Sequence, residues 1–520
     1  MSSSVLVLLL GHAALGAPVR CSTPEFLALR DAPLEGARMF RPNAMGFVDS
    51  VIYPIRVHYS DVGDLDRVTT VLLPMTEHAW AAQIEGMGWP VPPGDEGVGG
   101  TDAYDYYFTE DGTFGGAYTF GFGADVTPDD NWFSNATFIA VDRRISDFDM
   151  PAYIEHEFNH ALQWTIDGRE RTIFIWEATA EAITDIVYDD TDYGYELFSF
   201  QALPFMSLLH DSYNPAIYPY GYDGYFYEYG GMLFTTYLEE KYGTKDGTLL
   251  LQLWEDLAQP GTDDEPDFLD AVALVDPSVP TVASVYTDFS VWRMFAASDD
   301  DGAHYEEGAD FPDYAIVFSE DALGLSEVDG YTASPVAPPY DLAATYYRID
   351  LEGGSEQLLH AEVLGDPGTS WGIAWAVWPL AGGPATTGSA FVADTDGAPL
   401  TVDIDLTGGS RAKIGVVNNG PDGMDPNLAD PDRRSFTLNL SLVDPALPAD
   451  TDEPPTGGGD TDLPDTDVPP EEDDGEPDAL RADEEAAGGC GCDNAAGLTL
   501  SPLGLFGVAA LRRRRPAPAR

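Results

Sequence analysis

The 520-residue sequence predicts an α+β body over residues 22–330, helical in its C-terminal part, followed by a β-sandwich over residues 335–444. Three observations carry that expectation. Apolar residues recur at helical spacing through Ile154, Phe158, Ala161, Leu162 and Trp164, and again along 249–257, 268–275 and 282–295. Beyond the proline-rich stretch 335–339 they give way to short β-prone segments separated by Gly, Pro and Asp. Inside the first helical pattern lies His156-Glu157-Phe158-Asn159-His160, a combination that ties the fold to a chemistry.

At the N-terminus, an apolar run over residues 5–10 ends in Ala13-Ala14-Leu15-Gly16-Ala17, which reads as a secretory signal peptide over residues 1–17. Arg20 before Cys21 spoils a small-residue lipobox, so Cys21 reads as an incidental thiol. The other two cysteines, Cys490 and Cys492, lie at the far end. The expected exported body therefore has no internal disulfide and must be held by its core, for which its length is ample. Residues after the signal up to about Pro42 are a candidate prosegment.

The helical pattern around residue 156 has a start signal in Asp149 and Pro151. On that helix His156 and His160 lie one turn apart on one face, where both imidazoles reach one metal ion, and Glu157 is displaced toward a metal-bound water. A tetrahedral catalytic zinc takes a third protein ligand and leaves a position for water. The Ala-rich segment 176–185, reached through a polar turn at 167–170, reads as a second helix. There Glu177, Glu181 and Asp185 fall at i, i+4 and i+8 as one acidic stripe. Stacked carboxylates repel unless a cation or histidines partner them, so the stripe points to a metal side.

These residues resemble the gluzincin branch (clan MA) of zinc metallopeptidases, which place a glutamate ligand on the helix after the His-Glu-x-x-His helix. Two alignments compete. The aminopeptidase-like one makes Glu177 the ligand and puts Glu181 outside the coordination sphere. The thermolysin-like one matches Glu181-Ala182-Ile183-Thr184-Asp185, making Glu181 the ligand and Asp185 the carboxylate that orients a ligand histidine. The chain from about 45 to 260 is further similar to a family of secreted metalloproteases from myxobacteria and relatives. That family pairs His-Glu-Phe-x-His-Ala-x-Gln, here residues 156–163, with a Glu-Ala-Thr-Ala helix, here residues 177–180, after a Pro/Gly-rich stretch, here residues 88–105. The resemblance favours Glu177. It implies a zinc-activated water with Glu157 as general base and then general acid, and a protein or peptide substrate. Tyr227 matches a Tyr-Glu-x-Gly helix start whose tyrosine stabilises the oxyanion, with Tyr229 as the fallback and His210 as another donor.

After the stretch 232–242 come the helical runs already named, then the strand-like segments 345–351, 357–363, 372–378, 400–406, 412–417 and 436–442, whose spacing suggests the β-sandwich accessory domain. Residues 445–488, crowded with Asp, Glu, Pro, Thr and Gly, cannot bury a core and read as a disordered, charge-extended linker. Residues 489–520 combine the cysteine pair, a short apolar stretch and Arg512-Arg513-Arg514-Arg515. That order resembles the myxobacterial C-terminal sorting tail (MYXO-CTERM), which implies transient membrane association, a sorting protease as partner, and display at the cell surface or outer membrane, or release outside the cell.

With 90 acidic against 24 basic residues, the formal net charge of −66 argues against nucleic acid as a partner. Such self-repulsion calls for ionic screening or bound calcium, and the acidic clusters 263–265 and 299–301 are candidate structural Ca2+ sites. The leading expectation is a surface-displayed zinc peptidase. The alternative is a catalytically inactive, protease-like surface binding or adhesion protein, against which the intact His156, Glu157 and His160 speak.

Overall fold

Aromatic and β-branched residues build the first sheet, in the order β1-β2-β3-β5-β4. In the computed structural model, which describes residues 41–443 apart from 111–115, 123–124, 128–131, 189–196, 211–226, 259–265, 352–355, 394–397 and 427–430, these strands are β1 (Gly46–Asp49), β2 (Ile55–Tyr59), β3 (Tyr104–Thr109), β4 (Ala117–Phe122) and β5 (Ala136–Asp142). The signal peptide, the linker, the sorting tail, all three cysteines and the acidic cluster 263–265 lie outside the described residues. Chain contacts group Met1–Asp450 as one unit and Thr451–Arg520 as another.

β3 and β5 are buried along their whole length, and β3 pairs in parallel with both β2 and β5. Side chains alternate between two cores, as the pleat requires. Tyr104, Tyr106, Phe108, Ile139 and Val141 enter the main core, while Tyr107, Phe138 and Ala140 enter a smaller one on the other face. β4 closes one edge, antiparallel to β5. The parallel step from β2 to β3 needs a crossover. It is supplied by a helical stretch in which α1 (Leu73–Ala79) lies between π-helical turns Val68–Leu72 and Trp80–Gly86. Pro74, which has no amide hydrogen to give, sits where the π turns change to α.

Arg41 reaches back onto this sheet, 2.5 Å from both Asp95 Oδ2 and Asp105 Oδ2. Arg41 falls at the end of the candidate prosegment, whose residues up to 40 lie outside the described residues.

α2 (Met150–Asp167) starts at Asp149 with Pro151 in its first turn, as its sequence signals, and every residue from Ile154 to Asp167 is buried. It crosses β4 so closely that a Cβ on Gly121 would fall 2.5 Å from the Trp164 indole. α3 (Ile173–Val187) returns after the turn at 168–172 and packs on α2. Further helices are α4 (Leu197–Ala202), α5 (Tyr227–Gly230), α6 (Met232–Tyr242), α7 (Thr248–Leu257), α8 (Phe268–Leu274) and α9 (Val282–Trp292). Asp267 and Thr281 cap α8 and α9 by accepting main-chain N–H groups.

Two more sheets follow. One has the order β11-β10-β13-β8-β6, with β6 (Ser319–Gly324), β8 (Ala343–Asp350), β10 (Trp371–Pro379), β11 (Thr386–Val392) and β13 (Gly409–Asn418). The other runs β12-β9-β14-β7, with β7 (Tyr331–Ala333), β9 (Leu358–Gly365), β12 (Leu400–Asp405) and β14 (Phe436–Val443). Their strands start at Ser319, ahead of the stretch 335–339. Tyr347, Ile349, Ile373, Ile414 and Val416 of the first share one core with Leu359, Ala361, Ile404, Leu438 and Leu440 of the second. The other face of the first sheet is covered too: Tyr346, Ala374, Ala376 and Val417 join the main core, and Tyr346 donates to Ser290 O at 3.0 Å on α9. Helices and strands thus form a mixed α and β structure, largely segregated along the chain as an α+β class requires. Among the described residues no helix is long and apolar enough to cross a membrane.

Candidate metal centre

α2 and α3 bring together three of the residues singled out by spacing. His156 Nε2 and His160 Nε2 are 2.9 Å apart, and Glu177 Oε2 lies 3.1 Å from the first and 3.6 Å from the second. A tetrahedral zinc bound at its usual N and O distances separates neighbouring ligand atoms by roughly 3.3 Å, and the three distances bracket that edge. All three side chains are buried, and among the described residues they are the one group of three such ligands.

The electrostatics demand positive charge at this point. Burial alone would raise the Glu177 carboxyl, but the imidazoles of His160 and His156 hold it down to about 2. Burial likewise opposes a charged His156, yet Glu181 and Glu177 keep its pKa well above the ordinary value. A proton or a metal ion answers that demand equally, and two nitrogens with one carboxylate oxygen suit zinc.

The outer nitrogens are also engaged. Glu181 Oε1 lies 3.2 Å from His156 Nδ1, and Gln163 Oε1 lies 2.7 Å from His160 Nδ1. Glu177 therefore sits among the converging Nε2 atoms while Glu181 lies on the Nδ1 side of His156. Asp185, a turn further on, is half-buried.

Glu157 is wholly buried and accepts from the edge strand: Thr119 Oγ1 lies 2.6 Å from Glu157 O and 2.9 Å from its Oε2. Thr119 stands on the edge strand β4, a partner that nothing in the local sequence marked. The tyrosines divide unexpectedly. Tyr227 donates its hydroxyl to Met206 O at 2.9 Å and packs on Phe200 and His210, so the residue that matched the family pattern is occupied in the core. Tyr229, the fallback, stacks on His156 with ring centroids 6.0 Å apart. His210 is buried beside Tyr227, and burial pulls its pKa down to about 4.

The carboxylates of residues 299–301 do not converge on a common point. Asp299 pairs with Lys413 and Arg411, Asp301 with His304 and the Ala385 N–H, and Asp300 accepts from the Gly302 N–H.

No known protein family and no curated protein matches the sequence. Solved structures with partial likeness include the following three. A carbohydrate-binding module, CBM28, specific for non-crystalline cellulose is 13% identical over 22% of this chain and 72% of its own, with a TM-score of 0.14. The VP2 subviral particle of infectious bursal disease virus is 14% identical over 22% of this chain and 30% of its own, with a TM-score of 0.13. A family GH115 4-O-methyl-α-glucuronidase with specificity for decorated arabinogalactans is 8% identical over 56% of this chain and 42% of its own, with a TM-score of 0.15. Likenesses this slight carry no inference about the chain.

Proposed function

We propose that this chain is a zinc-dependent peptidase of the gluzincin type, held by His156, His160 and Glu177, exported and displayed at the cell surface through its C-terminal tail. The convergence of those three ligand atoms in one buried cluster, with the buried Glu157 next to it in sequence, is the observation that supports this reading most.

Zinc, when bound, supplies Lewis acidity toward a water molecule and toward the carbonyl under attack. The protein's own groups do the rest. Glu157 takes the water's proton on its carboxylate and returns it to the leaving amine, and Thr119 holds the Oε2 atom from the edge strand. Glu181 and Gln163 keep His156 and His160 aimed inward. Tyr229, stacked on His156, is the hydroxyl best placed to stabilise the oxyanion, in preference to Tyr227. A peptide bond as the substrate rests on the resemblance to secreted metalloproteases. The two sheets of residues 319–443 we read as a β-sandwich accessory layer braced against the catalytic helices.

The test compares the full-length protein with Glu157→Gln. Zinc in both, with casein cleaved only by the native chain, sustains the proposal. Zinc in the native chain without hydrolysis of any peptide turns the account to a protease-shaped binding protein, and absence of zinc from both defeats it.

A further inference from the structure

Hydrogen bonds from the candidate ligand His160 continue through the interior as one chain that surfaces on the β2–β3 crossover. His160 Nδ1 lies 2.7 Å from Gln163 Oε1, and Gln163 Nε2 lies 3.0 Å from both Asn159 Oδ1 and Trp176 O. Asn159 Nδ2 then donates to Gln83 Oε1 at 3.1 Å, and Gln83 Nε2 donates to Glu155 O and to Glu155 Oε2, each at 2.9 Å. Glu155 Oε1 ends the chain 2.9 Å from Nδ1 of the half-exposed His78. His160, Gln163, Asn159, Gln83 and Glu155 are all buried.

The direction of every bond is forced. A carbonyl oxygen only accepts, so Trp176 O obliges Gln163 to turn its Nε2 inward and offer Oε1 to His160. At the other end the Glu155 carbonyl and carboxylate also only accept, so Gln83 must present Nε2 to them and Oε1 to Asn159. Asn159 fits between these two fixed amides in a single orientation. An acceptor at Gln163 Oε1 places a proton on His160 Nδ1 and leaves the lone pair on Nε2, the atom that meets His156 and Glu177.

We propose that Gln163, Asn159 and Gln83, anchored on Glu155, form a one-way amide chain that fixes His160 in its metal-binding tautomer, with Gln83 and Glu155 as remote positioning residues. The proposal rests on the reading of His156, His160 and Glu177 as a metal centre. Its chemical content is that the Trp176 carbonyl at one end and the Glu155 acceptors at the other leave the amides no alternative pairing. Gln83 brings the crossover into the site although it touches no ligand.

Zinc affinity of the full-length protein, measured by competition with a chelator alongside the thermal midpoint of the metal-free form, tests this. Gln163→Leu is expected to weaken zinc by about 10–100-fold and Gln83→Leu by about tenfold, the range found when groups behind a ligand are lost. Glu155→Gln, whose amide oxygen still accepts from Gln83, is expected to keep affinity within about threefold of the native value, a fraction of that range. A Gln83→Leu protein that is less stable yet binds zinc like the native chain makes Gln83 a packing residue and overturns the proposal. If Gln83→Leu does not fold, the isosteric Asn159→Asp decides: it opposes the Gln83 acceptor with another acceptor, and unchanged zinc affinity overturns the proposal. A native chain that binds no zinc overturns the metal centre itself and the amide chain with it, an outcome distinct from native binding with unaltered variants.

Discussion

The helix pair α2–α3 and the paired sheets of residues 319–443 each enclose an interior, and they fill those interiors with opposite chemistry. Along α2 and α3 the wholly enclosed side chains include Glu155, Glu157, Asn159, His160, Gln163 and Glu177. Between the sheets the enclosed side chains include Ile349, Ile373, Ile414, Leu359 and Leu438. Buried polar groups cost stability unless each meets a partner. Most in the helix pair meet one: Glu155 has His78 and Gln83, Asn159 and Gln163 have each other, and Glu157 has Thr119. The site lies where partnering stops, at two imidazole nitrogens and a carboxylate oxygen that converge on one another. Apolar burial holds the sheets together; the helices maintain a costlier interior around the candidate metal centre.

The sharpest way to separate the two interiors is to alter each without disturbing the other. Glu157→Gln keeps the shape of the helix pair and is expected to lower peptide hydrolysis by about 10³-fold, with zinc content and thermal midpoint unchanged. In the sheets, Ile414→Ala opens a cavity at a fully enclosed position and is expected to cost about 3 kcal/mol in denaturant unfolding while leaving zinc affinity as it was. A loss of zinc affinity in Ile414→Ala would show that the comparison draws its line in the wrong place.

Acid separates them more gently. Burial lowers the His210 pKa to about 4, below its ordinary value near 6.5, so the folded protein favours the neutral ring. The resulting stability is present above pH 6.5 and is lost as pH falls from there toward 4, by up to about 3 kcal/mol, and His210→Gln should flatten that limb of the stability profile. The smallest effect concerns His78, whose pKa the Glu155 carboxylate raises by hydrogen bonding. Its contribution is fully present below pH 6.5 and disappears as pH rises through the raised value. His78→Ala should therefore be less stable than the native chain at pH 6 and converge with it at pH 9.

Local pattern made much of this legible. The apolar period and the start signals at Asp149 and Pro151 located α2, and the runs at 249–257, 268–275 and 282–295 correspond to α7, α8 and α9. The six strand-like segments correspond to β8, β9, β10, β12, β13 and β14. β11 went unread because Thr386-Thr387-Gly388-Ser389 at a sheet edge has no apolar alternation, and β6, with Ser319, Glu320 and Asp321, looks like a turn. In the site, helical spacing made His156 and His160 legible and put Glu177 on one acidic stripe with Glu181 and Asp185; the preference for Glu177 came from the family resemblance. Thr119, Gln83 and Glu155 were not legible, since their partners lie 38 to 77 residues away and only the crossover and the edge strand bring them in. The choice between Tyr227 and Tyr229 depended on how the four-residue helix α5 is rotated, and packing against Phe200 and Met206 sets that rotation.

The central claim is that a metal ion belongs among His156, His160 and Glu177. Its most direct test is the metal content of the purified full-length protein after zinc loading and dialysis, beside Glu177→Gln and Glu181→Gln. About one zinc per native chain, lost from Glu177→Gln and retained more weakly by Glu181→Gln, is the expected result. A native chain that holds no metal, or a Glu177→Gln variant that holds it as tightly as the native chain, would contradict the account.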